Sequence, residues 1–335
     1  MNRKISSSTS LQVHLWIYNH HYNGISDQIE YFYTALTQNG YSVSIGRKPK
    51  DDALNVVIEY FTLQSKAILI DYCKRTKKRI AIIMTEHIDL IDNRIQMHGA
   101  PLWTQNDYMP PMMQASRIRF LMECLPYIRG FFVLGDLPEL KGFTDMIRGS
   151  DIRTIPFPEI NTVDISTDHM NPDRMQDFGF TGTATEYRKN IVSLLQYNNF
   201  CIDIPVKFLS RKQREIKTQS IKLVLNIPQR LNWKWLSLMR VMAGLRAGRA
   251  TVSLGTKDTS KIAACTHQVD LSTPDWMDNL HEFSKNWSGM YYESMENYTA
   301  MAKSFESIHS FPHDFFEFWA ITDQIEIKDS NVINE

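Results

Sequence analysis

Cysteine is scarce and scattered in this 335-residue chain: Cys73, Cys124, Cys201 and Cys265 form no C-x-x-C pair. That pattern argues against a disulfide framework and a cysteine zinc site, and a reducing cytoplasm is the expected setting. An excess of either charge is missing too, because Lys+Arg and Asp+Glu both number 37. With no net field to draw nucleic acid or an acidic surface, no nucleic-acid partner is expected and any anion site must be local. No apolar run approaches the roughly 20 residues of a spanning helix. Met1 to Ser8 carries basic residues without the apolar core of a signal peptide. A cytoplasmic protein follows, associated with a membrane at most peripherally. The dehydrogenase G-x-G-x-x-G fingerprint is absent. No Asp-x-Asp pair stands at a strand end where it would hold Mg²⁺ against a diphosphate. Neither a metal nor a cofactor is expected.

What is present is an alternation of strand and helix patterns. Val13, Leu15 and Ile17 alternate as in a strand, while Ile25, Ile29, Tyr33 and Leu36 recur at helical spacing up to a left-handed stop at Gly40. Between them, Asn23 to Gln28 reads as a glycine turn leading into the helix, whose free N–H groups suit an anionic or polyhydroxylated ligand. Residues 55–61, 79–84, 130–135 and 153–156 read as further strands, with helices at 63–77 and 112–125. Pro156, Pro158 and Pro172, with a polar run between Asn161 and Asp173, mark a linker. Strand, small-residue turn and helix then begin again at 177–197, followed by a strand at 220–226, a helix at 233–247 and a strand at 249–254. The length fits two domains of about 150 residues each. Phe311, Phe315, Phe316, Phe318 and Trp319 crowd the end of the chain and call for burial.

The opening unit, with its segment Asn39-Gly40-Tyr41-x-Val43-x-Ile45, resembles the first βαβ unit of GT-B glycosyltransferases. Phe180-Thr181-Gly182-Thr183 through Arg188 is similar to the entry of their nucleotide-sugar domain, and Arg240 to Ser253 is similar to a later segment of that domain. The resemblance spans roughly the first 270 residues. It implies an α/β fold of two Rossmann-like domains facing a cleft: an acceptor domain at 1–160, a nucleotide-sugar domain at 175–305, and a helical segment at 306–335 packing back on the first. It also implies metal-independent transfer of a sugar from a nucleotide-sugar donor to a saccharide, lipid-linked or other hydroxyl acceptor, in glycan or surface-polysaccharide assembly. Where many retaining members carry two glutamates eight positions apart, this chain has Trp235 and Ala243. An epimerase of similar fold and a nucleotide-sugar-binding scaffold without turnover are therefore the rival readings.

Such a transfer needs a cradle for the departing diphosphate and a base for the acceptor hydroxyl. The cradle candidates are Thr181, Gly182 and Thr183 in a turn, with Arg188, Arg230 and Arg240 supplying charge. Arg240 leads because it sits on an otherwise apolar helix. Arg188, in a first helical turn, has an exposed structural role as its alternative. Asn226, ahead of Ile227 and Pro228, ends a strand where the donor base would contact the backbone. Base candidates are Asp27, His87 and His21, with Asp27 ahead and a dipole-complementing role as its alternative. Gly24 and Glu86 fall on the acceptor side. The basic run Lys207, Arg211, Lys212, Arg214 and Lys217 reads as a solvated helix face, with lipid phosphate as a lesser alternative.

Overall fold

The computed structural model describes residues 11–332 except 60, 86, 102–109, 137–141, 143–144, 146, 148–149, 166–174, 206, 208, 232 and 234, with side chains described up to 325. Glu86 and Pro172 thus lie outside the described residues.

The first half winds β1 (Gln12–Trp16), α1 (Tyr22–Gln38), β2 (Ser42–Gly46), β3 (Leu54–Ile58), α2 (Leu63–Thr76) and β4 (Ile80–Ile83). A small antiparallel sheet follows, β5 (Ile88–Ile91), β6 (Arg94–Met97) and β7 (Ala100–Pro101), then α3 (Pro111–Cys124), β8 (Ile128–Leu134) and β9 (Asp151–Ile155). The main strands form a parallel sheet in the order β2-β1-β3-β4-β8-β9. Val13, Leu15, Ile80, Ile82, Phe131 and Phe132 are fully buried, as strands covered on both faces require.

The helix α1 starts earlier than its sequence suggests. Asn23 to Gln28 is helical rather than a turn, and Gly24 lies in the first helical turn with ordinary φ. His21 occupies the N-cap without a side-chain hydrogen bond, so no capping signature marks the true start. Asp27 consequently sits in the second turn, too far along to complement the helix dipole as a first-turn residue would.

The second half comprises β10 (Gln176–Gly179), α4 (Glu186–Tyr197), β11 (Ile202–Asp203), α5 (Arg211–Gln219), β12 (Ile221–Asn226), α6 (Leu238–Arg246), β13 (Thr251–Leu254) and β14 (His267–Val269). Its parallel sheet runs β11-β10-β12-β13-β14. Three helices close the chain: α7 (Trp276–Lys285), α8 (Trp287–Ile308) and α9 (His313–Val332). Two Rossmann-like units facing a cleft make this a GT-B-like α/β fold. The last helix lies on the first sheet, with Phe316 stacked on Phe132 at 5.2 Å and Phe315 edge-on to it at 5.4 Å. Gly130 permits the approach, because a Cβ there would stand 2.6 Å from the Phe315 ring. Phe318, expected inside, is 56% exposed: it points away from the face that carries Phe315, Phe316 and Trp319.

The basic helix α5 is not simply solvated. Arg211 forms a fork on Glu30 (2.6 and 2.9 Å) and Arg214 forms one on Asp27 (2.6 and 2.9 Å), tying α5 to α1 across the cleft. Lys217 pairs with Asp203 at 2.6 Å.

Candidate functional site

The carboxyl ends of the parallel strands in both sheets meet at the cleft, the edge where open α/β sheets bind ligands. A chamber of about 560 Å³ opens there, walled by Asn23, Gly24, Asp27 and Gln28 of α1 and otherwise by the second half. Six cationic side chains line it, Arg188, Lys207, Arg211, Arg214, Arg240 and Arg246, against the carboxylates of Asp27 and Glu215. A neutral chain has thus gathered positive charge at one place, which favours an anionic ligand.

At its inner end, β10 leaves the sheet through Phe180 and the Thr181-Gly182-Thr183 turn. Gly182 has φ +149°, a conformation that L side chains rarely adopt, and its backbone runs between two guanidiniums, a Cβ there lying 3.0 Å from Arg240 Nη2 and 3.5 Å from Arg188 Nη1. Both cations lie over the Phe180 ring, at 5.3 Å for Arg188 and 5.4 Å for Arg240. Arg188 is buried, contrary to the exposed role set out as its alternative: Nε donates to the carbonyls of Ile227 (2.9 Å) and Pro228 (3.2 Å), and Nη1 to that of Thr183 (2.9 Å). The backbone oxygens after Asn226 therefore face an arginine.

Arg240 is held by Asn226 Oδ1 (2.5 Å) and the Thr181 carbonyl (2.9 Å), and no carboxylate among the described residues pairs with it. Asn226 is itself oriented by Nδ2 donating to Ser253 Oγ at 3.0 Å, which leaves its oxygen for the guanidinium. Burial, then the neighbouring Arg188 and Arg214, lower the Arg240 pKa to about 9, with Asp27 opposing. An anion placed here would relieve a half-buried cation that has no ion-pair partner among the described residues. Arg230 stacks over Trp233 at 5.4 Å and lines neither this chamber nor the next.

A smaller chamber of about 200 Å³ adjoins the first and shares Gln28, Arg188, Gln229, Ser237, Met239 and Arg240 with it. Its first-half wall is Met84, Thr85, His87, His98, Leu134 and Asp136; Trp233, Trp235 and Asp258 face them. The β6–β7 turn brings His98 onto Trp233, stacked at 4.4 Å, and edge-on to His87 at 5.0 Å; Trp235 lies 5.8 Å from His87. Asp136 follows β8 through Gly135, whose φ is +59°. Its Oδ2 accepts from the Lys261 backbone N–H, while Oδ1 is buried without a hydrogen-bond partner. Burial first, with Asp258 adding to it, raises this carboxyl to about 6 against the pull of the Lys261 and Ile262 N–H groups.

A third, polar chamber of about 470 Å³ contains His20, His21, Gly24, Gln28, Thr85, His98, Gln229 and Trp233, with the buried Glu59–Arg117 pair at 2.9 Å in its wall. His20 is lowered from its ordinary pKa by burial, its bond to the Ile58 carbonyl opposing and Arg117 assisting. His21 is exposed. The structure thus gathers Thr181, Gly182, Thr183, Arg188, Asn226 and Arg240 at the two inner chambers. It places His87 in the second, Asp27 in the first with Arg214 on both oxygens, and His21 and Gly24 on the third. Asp136, His98 and Trp233 were not among the residues expected from sequence, and Arg214 was expected only as part of a solvated basic face. Asp136 closes a strand at the carboxyl edge, which is the one signal that points to it.

No family model matches the chain, and no curated protein matches it. Among solved structures, an α1,3-fucosyltransferase aligns with a TM-score of 0.42 at 10% identity, covering 95% of this chain and 93% of that one. A TarM mutant from S. aureus in complex with Fondaparinux, alpha-GlcNAc-glycerol and UDP aligns at 0.46 with 13% identity, covering 80% of this chain and 56% of that one. A UDP-forming trehalose-phosphate synthase from Burkholderia xenovorans aligns at 0.42 with 8% identity, over 84% and 74%.

Proposed function

We propose that this chain is a glycosyltransferase that moves a sugar from a nucleotide-sugar donor to a saccharide or other hydroxyl acceptor, as in glycan or surface-polysaccharide assembly. The observation that carries the reading is the chamber lined by six cationic side chains, with the half-buried Arg240 at its inner end paired with no carboxylate among the described residues. In this reading residues 175–305 hold the donor, residues 1–160 the acceptor, and 306–335 brace the first domain. The donor diphosphate lies at Arg188, Arg240 and the Thr181–Thr183 turn, where the boundary between the two inner chambers falls. Its nucleoside then extends into the larger chamber and its sugar into the smaller, beside Trp235, His87 and Asp136.

Transfer breaks the bond from the sugar's anomeric carbon to the diphosphate oxygen and forms one to the acceptor hydroxyl. The negative charge that grows on the leaving diphosphate meets fixed guanidiniums, with no reorganisation needed at the moment of reaction. The hydroxyl proton goes to a carboxylate or imidazole on the small chamber's wall. Asp136 is our choice, because a carboxyl raised to about 6 is matched to proton transfer near neutral pH. Asp27 has both of its oxygens engaged by Arg214, and its role here is to hold that arginine at the chamber wall. His87 is placed to orient the sugar.

The test is a thermal-shift panel of nucleotide sugars, followed by assay of nucleoside diphosphate release with mixed glycoside acceptors. A true donor present at 100 times its Kd stabilises the fold by about 2.7 kcal/mol. Absence of stabilisation by every nucleotide sugar would overturn the reading.

A further inference from the structure

Beside the polar chamber the first domain carries a cavity of about 530 Å³ that the transfer chemistry does not use. It opens at the carboxyl ends of β1 and β3, and its lining is mostly apolar, with Asn19, His20, His21, Thr62, Gln64 and Ser65 adding polar groups. Trp16, Val57, Phe61 and Leu69 are buried there, and Leu63 stands at 64% exposure. The indole Nε1 of Trp16 already donates to the Arg47 carbonyl at 3.0 Å, so its remaining surface is hydrocarbon-like. Tyr18 has φ +34°, a conformation that a non-glycine residue keeps only when its surroundings enforce it. Arg47 enforces it, donating from Nη1 to the Tyr18 carbonyl at 2.8 Å. One residue thereby fixes two aromatic walls. On the other side, a reciprocal cap between Thr62 and Ser65 sets the first turn of α2, which carries Leu63.

The cavity is continuous with the cleft. His20, His21 and Ile58 belong both to it and to the polar chamber. That chamber in turn shares Gln28, Thr85, His98, Gln229 and Trp233 with the small inner chamber. A hydroxylated group standing before the donor sugar would fill the polar chamber, and whatever it carries on its far side would meet Trp16, Tyr18 and Phe61.

We propose that this cavity is an apolar subsite that takes the aryl or alkyl aglycone of the acceptor, whose hydroxylated part occupies the polar chamber. The acceptor class is therefore an amphiphilic glycoside or polyol conjugate rather than a free sugar. The inference rests on the transferase reading for the word acceptor, but the cavity's ligand chemistry is testable alone. The probe is N-phenyl-1-naphthylamine, a neutral aryl dye that fluoresces in apolar surroundings. The wild-type protein should bind it saturably, and both phenyl and octyl glucoside below micellar concentration should displace it while methyl glucoside does not. Displacement by only the phenyl or only the octyl compound would support the subsite and identify the aglycone as aryl or alkyl. Leu63→Glu should weaken the dye about tenfold, whereas Ile308→Glu, at another exposed apolar position, should leave it unchanged. Lack of dye binding, displacement by methyl glucoside as well, or equal affinity in Leu63→Glu overturns the proposal. Nucleotide stabilisation measured on the same preparations reports on the donor chambers separately, so failure of one reading is distinguishable from failure of the other.

Discussion

The two edges of the second sheet each hold an arginine among the same elements, and the two are dressed differently. At the amino edge, Arg249 is fully buried: Nε donates to the Ile221 carbonyl at 2.6 Å, Nη1 to Gly248 at 2.8 Å and Nη2 to Gln219 at 2.5 Å, under the Trp287 ring at 4.8 Å. At the carboxyl edge, Arg240 has one side-chain amide, one carbonyl and an open chamber. The amino-edge cation ties strand starts together and helps to fold the domain. The carboxyl-edge cation has donors left for a ligand. Identity alone therefore does not assign a role to an arginine; its partners and its burial do.

If this contrast is right, Arg249→Ala has the largest effect on the fold. It leaves strand-end carbonyls buried without a donor and opens a void, for a loss of at least about 3 kcal/mol in urea unfolding. A loss below about 1 kcal/mol would dissolve the comparison. Next comes Asp136→Asn, in the opposite direction. Well below 3.8 both the folded and the unfolded chain hold the proton. Between 3.8 and about 6 the unfolded chain releases it first, so the folded state loses relative stability, and above about 6 the penalty is complete. The amide removes that penalty, raising stability by about 2 to 3 kcal/mol at pH 8 and leaving it nearly unchanged at pH 4. Equal shifts at the two pH values would refute the account. The same variant should lose about 100-fold or more in turnover with donor binding kept. Asp27→Asn should lose less than Asp136→Asn, and the reverse order would return the base to Asp27. The smallest effect is expected at the cleft mouth: Arg211 and Glu30 are partly exposed, and Arg211→Ala should change stability by less than about 1 kcal/mol.

The sequence disclosed the fold more readily than the chemistry. Two runs of strand, turn and helix were visible because buried parallel-strand segments such as 80–83 and 223–225 are continuous apolar runs. Arg240 was visible because it interrupts an apolar helix face. Its counterpart Arg214 was not, since it stands in a helix rich in charge and its meaning comes from Asp27, 187 positions away. Asp136 was hidden for the same reason: its raised pKa comes from burial, with Asp258 assisting, far along the chain. The β5–β7 sheet escaped because strands of two to four residues hold too little alternation to be read, yet it delivers His98 to the cleft. The true start of α1 was missed for want of a capping side chain at His21.

The central claim is that Arg240 receives the diphosphate of a nucleotide donor. Calorimetric titration of the best-stabilising nucleotide sugar into the wild type and Arg240→Ala tests it most directly. The variant should unfold at essentially the wild-type denaturant midpoint and bind the donor about 1.5 to 3 kcal/mol more weakly, the value of a charged hydrogen bond. Unchanged donor affinity in a folded Arg240→Ala protein would contradict it.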